Sequence, residues 1–114
     1  MPAVPIRIRE SDAKWVVRAG GAILGETRRA LELSEGDLRP VMYFPREDVA
    51  MALLDASEQT TTCPHKGLAS YYSIQTRSRL LENAVWSYED PIENVAQIKG
   101  YLAFSPSQVT IEEL

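Results

Sequence analysis

Apolar and polar residues alternate one for one along much of this chain, the repeat expected of half-buried strands. Ile6 and Ile8 alternate with Arg7 and Arg9, and Trp15 and Val17 continue the pattern. Gly20-Gly21 then separates two apolar runs, and Ala22-Ile23-Leu24 returns, which predicts a hairpin. A polar passage, Gly25 to Arg29, leads into the alternating Ala30-Leu31-Glu32-Leu33; Ser34-Glu35-Gly36-Asp37 reads as a loop and Val41-Met42-Tyr43-Phe44 as a strand of good β-formers. Further strands are predicted over Ala69–Ile74 and Leu80–Tyr88, the latter with Ala84, Trp86 and Tyr88 on one face. Tyr101–Phe104 and Val109–Ile111 close the sheet, and Glu112-Glu113-Leu114 reads as a fraying end.

Two segments carry helical signals instead. Pro45 opens Arg46 to Leu54 with acids in the first turn and Val49 and Leu53 four apart, predicting two helical turns that must lean on the sheet. Asp90 as cap, Pro91 at the first position and Glu93 at capping-box spacing start a second helix; Ile92, Val95, Ala96 and the Lys99 stem form its inner stripe, and Gly100 ends it. Many short strands with one or two short helices define a mainly β, α+β class. A length of 114 residues predicts a single domain, 1–114.

Composition narrows the function classes. A net charge of −4 predicts no nucleic-acid partner, because phosphate binding needs clustered surplus cations. No apolar run approaches the roughly 20 residues of a membrane span, so no membrane partner is expected. One cysteine makes no internal disulfide, and the opening Met1-Pro2-Ala3-Val4-Pro5 lacks an apolar signal region, which together predict a cytoplasmic location.

Four blocks, in order, carry a family resemblance: Tyr43-Phe44-Pro45-Arg46-Glu47-Asp48; Thr62-Cys63-Pro64-His65-Lys66-Gly67 with Ala69 and Tyr71; Ala84, Trp86 and Tyr88; and Ile98 with Gly100-Tyr101. From about Val16 to Phe104 the chain resembles domain of unknown function 427, a family also labelled NTP_transf_9. The resemblance implies a compact, mainly antiparallel fold like the β-tent proteins, whose better-known members hold zinc on four cysteines. With one cysteine here that zinc site is absent. At position 65 the family usually has an aromatic residue, so His65 is a departure.

Thr60 to Gly67 gathers the only cysteine, the only histidine, a lysine and three hydroxyls. Cys63 could act as a nucleophile with His65 as base, since on an extended strand the two would share a face; a buried small residue before a turn is the plainer reading. Neither a metal nor any other cofactor is expected, because structural zinc needs ligands this chain does not supply. Nucleotidyl transfer would need a phosphate-gripping glycine turn and paired carboxylates; Lys66-Gly67 reverses P-loop order, and Glu47 and Asp48, adjacent on a helix, diverge.

An anion-accepting cleft fits the residue types better. Arg46 at a predicted helix start and Lys66 would meet the charge over a common hollow, Thr60 and Thr62 would offer hydroxyls, and Tyr43, Tyr71, Trp86 and Tyr88 would form the walls. The first expectation is therefore a protein binding a small anionic molecule through Tyr43, Arg46, Thr62, Lys66, Tyr71 and Trp86. The alternatives are an enzyme using Cys63 or Lys66 as nucleophile or acid–base group, with His65 assisting, and a protein-interaction module using an open sheet edge.

Overall fold

The computed structural model describes residues 5–114; Met1–Val4, weighed above for a signal segment, lie outside the described residues. Ten strands run in order: β1 Ile6–Glu10, β2 Trp15–Ala19, β3 Ala22–Thr27, β4 Leu31–Glu35, β5 Val41–Tyr43, β6 Leu54–Cys63, β7 Gly67–Gln75, β8 Leu80–Ser87, β9 Leu102–Phe104 and β10 Thr110–Glu113. They form three antiparallel sheets, ordered β1-β4-β5, β10-β2-β3 and β6-β7-β8-β9. Phe44 and Leu102 exchange backbone hydrogen bonds of 2.8 and 2.9 Å, which joins the first sheet to the third.

Strict alternation across that junction divides the interior in two. Phe44, Leu102 and Phe104 face a core shared with Val17 and Leu24 of the second sheet, and the Phe44 and Phe104 rings meet edge to face at 5.6 Å. Tyr43 and Ala103, one residue over, face a second core with Leu31, Leu33, Tyr88, Val95 and Ile98. The hairpin expected at Gly20-Gly21 is present: Ala19 pairs with Ala22, and Gly20 has the positive φ, +60°, that a two-residue II′ connection needs.

Several expectations are overturned. Arg46–Leu54 is not a helix but two 3-10 turns, Arg46–Asp48 and Met51–Leu53. Val49 between them is extended, bridges Gly25, and is followed by an Ala50 N–H bonded to Leu24 O at 2.7 Å; pairing with β3 wins over two helical turns. The second helix is also 3-10, Glu93–Ile98, broken by Val95 at φ −122°; Asp90 does not cap it, since Ile92 holds that position without a side-chain bond. Leu54 opens the ten-residue β6, whose polar, solvent-facing residues give no alternation to read. Ala84 packs with the first core and not beside Trp86 and Tyr88, because the β7–β8 register shifts after Tyr72 and Asn83 takes a left-handed φ of 52°. Glu112 and Glu113 do not fray: they pair with Val16 and Trp15, and Glu112 bonds Arg18. Among the described residues no helix is long and apolar enough to cross a membrane.

Candidate functional site

Cys63 pairs with Gly67 at the tip of the β6–β7 hairpin, so Pro64-His65-Lys66 is its three-residue loop. Lys66 N–H bonds Cys63 O at 3.2 Å, and Gly67 takes a φ of +112° to bring the chain back into β7. From outside, Ile92 N–H bonds Lys66 O at 2.9 Å and fixes the tip against the segment that follows β8. The turn also separates Cys63 from His65. They do not sit on one extended strand, and no hydrogen bond joins the thiol to the imidazole among the described residues. This corrects the expectation of a nucleophile and base on a shared face.

Lys66 reaches inward. Its Nζ lies 2.6 Å from Glu35 Oε1, with the two side chains only 13% and 14% exposed. The pair links the end of β4 to the β6–β7 tip, and so the first sheet to the third. Burial alone would lower the Lys66 pKa; the hydrogen bond to Glu35 and the neighbouring Cys63 outweigh it and hold the pKa above its ordinary value. An ammonium held in that state is a poor nucleophile at neutral pH.

Beside this pair lies a hollow of about 370 Å³, with Tyr43, Tyr71, Trp86 and Tyr88 among its walls and Leu38 and Arg39 at its mouth. Trp86 Nε1–H donates to Tyr43 Oη at 3.4 Å, the Tyr71 and Trp86 rings sit 6.5 Å apart, and the Tyr71 and Thr61 hydroxyls are 3.0 Å apart. Burial pushes the Tyr43 and Tyr88 pKa values up, keeping both phenols neutral. A second hollow of about 390 Å³ adjoins the first across Arg39, Val41 and Trp86, and is walled by Trp15, Phe104 and Ile111. Trp86 therefore stands between two spaces. Glu35 and Lys66 cancel, and Arg39 has no ion-pair partner among the described residues, so the hollow's uncompensated charge is one positive guanidinium.

The residues expected to form the site divide between the two faces of the third sheet. Tyr43, Lys66, Tyr71 and Trp86 come together. Arg46 does not join them. Its guanidinium lies 5.9 Å over the Tyr72 ring and bonds Gly100 O, Tyr72 Oη, Ser87 Oγ and Glu89 at 3.1, 3.3, 3.4 and 2.8 Å. Tyr72 and Ser87 alternate with Tyr71 and Trp86 along their strands, so Arg46 is on the opposite face from Lys66, and the shared hollow expected for the two cations does not form. Thr62 is exposed, and Thr61 is the hydroxyl that reaches Tyr71. The chain alone gave no signal for Glu35 or Arg39, because the β4–β5 hairpin carries them to the site. Among the described residues no cluster of three metal-ligating side chains occurs.

The fold and hollow together define an antiparallel β protein with an aromatic-walled concavity. The family model described as Domain of unknown function (DUF427) matches residues 7–113, and the chain belongs to that family. The match extends past the Val16–Phe104 blocks to take in β1 and β10. No curated protein matches the chain.

Proposed function

We propose that the hollow around Trp86 binds a small molecule with a flat apolar body and a single negative group. The observation that carries the reading is an aromatic-walled space of about 370 Å³ whose uncompensated charge is the Arg39 guanidinium. The flat body would lie along Trp86 and Tyr71, and the anion would meet Arg39, with Lys66 a secondary contact because Glu35 already holds it. This keeps the anion-binding expectation and transfers its main cation from Arg46 to Arg39. A single cysteine, which can form no internal disulfide, suits a reducing, cytoplasmic setting.

Thermal unfolding across a panel of aromatic carboxylates and sulfonates tests the proposal. Stabilisation by at least one anion, lost in Arg39→Gln and absent for the matching neutral amide, is expected. Equal shifts in wild type and Arg39→Gln would refute it.

A further inference from the structure

The ends of the β2–β3 and β7–β8 hairpins meet across a separate hollow of about 440 Å³. Its rim carries Arg77 and Arg79, and no carboxylate lines it. Arg9, Arg18, Arg29 and Arg46 each have an acidic partner, whereas Arg77 and Arg79 have none among the described residues. On a chain of net charge −4, two unpaired guanidiniums facing one concavity form a local excess of positive charge.

The turn that carries them is fixed. Thr76 N–H and Thr76 Oγ1–H both donate to Arg79 O, at 2.9 and 3.0 Å, and Arg79 N–H donates back to Thr76 Oγ1 at 3.0 Å. The two arginines are thus presented two residues apart on a closed loop. Opposite stands Gly20-Gly21, where a Cβ would meet nothing within 4 Å, so backbone alone faces the space. Ala19 and Leu81 supply an apolar floor.

We infer that this hollow is a binding site for a phosphomonoester, the dianion held by Arg77 and Arg79 and the organic group resting on Ala19 and Leu81. Two guanidinium forks match a group of charge about −2 with three free oxygens. A carboxylate would leave one fork unused, and the floor gives the ester an advantage over the bare ion. The site is distinct from the Trp86 hollow and does not rest on it.

The test is calorimetric titration of the full chain with phenyl phosphate, phenol and inorganic phosphate at low salt. Phenyl phosphate is expected to bind saturably, phenol not at all, and inorganic phosphate at least several-fold more weakly. Arg77→Gln/Arg79→Gln should weaken phenyl phosphate at least about tenfold with an unchanged unfolding midpoint. Absence of saturable binding overturns the inference, as does undiminished binding in the double variant. Loss in Arg39→Gln alone would assign the anion to the Trp86 hollow instead. Inorganic phosphate binding as tightly as phenyl phosphate would overturn the ester assignment.

Discussion

Lys66 and Glu35 form a nearly enclosed ion pair at the point where two sheets meet, so removing one partner strands the other's charge. Lys66→Met should lower stability by about 2–4 kcal/mol, and adding Glu35→Gln should recover part of that loss, as read by chemical denaturation. The pH dependence has a definite sign. With the Lys66 pKa raised, the stabilisation linked to its ammonium is fully present below about pH 10.5 and disappears as pH climbs through the raised value. Tyr43 and Tyr88, raised by burial, act in the same direction from about pH 10. Alkaline unfolding should therefore coincide with phenolate absorbance from these two rings; full titration of both in a still-folded protein would contradict that. Arg46 spends its donors inside the molecule, and Arg46→Ala should cost about 1–3 kcal/mol while leaving ligand binding at Trp86 unaltered. Equal loss of binding and stability would place Arg46 in the site after all.

Between elements, two strands and a turn crowd together at Gly25, where a Cβ would sit 3.0 Å from Asp48 O and 3.4 Å from both Val17 and Val49 side chains. Gly25→Ala should destabilise by about 1–3 kcal/mol, and Gly21→Ala, which meets nothing, by less than about 0.5 kcal/mol, compared by thermal unfolding. The same contact explains why the 46–54 segment misleads as sequence. Val49 has helical spacing to Leu53, but its backbone is taken up by Gly25 and Leu24, a demand invisible without the partner strand. β1 and β4 were legible because each turns one apolar face inward, and β5 because its run of β-formers lies between the two cores. β6 was not, since it runs along an edge and is polar on both faces. At the candidate site, Tyr43, Lys66, Tyr71 and Trp86 could be grouped from their blocks. Placing Arg46 needed the β7–β8 register, where one residue decides between Tyr71 and Tyr72.

Across the whole molecule, the first and third sheets run together through Phe44 and Leu102, and Lys66–Glu35 holds them at a second point. The hollow beside Trp86 is what this two-point junction leaves open, so ligand binding there should also protect the β4 and β7 amides from hydrogen exchange. The most direct test of the account is the emission of Trp86 in a Trp15→Phe background, titrated with an aromatic monoanion and with its neutral amide. Saturable change with the anion, abolished by Arg39→Gln and absent with the amide, is the predicted result. A Trp86 signal indifferent to every anion, or one that survives unchanged in Arg39→Gln, would contradict it.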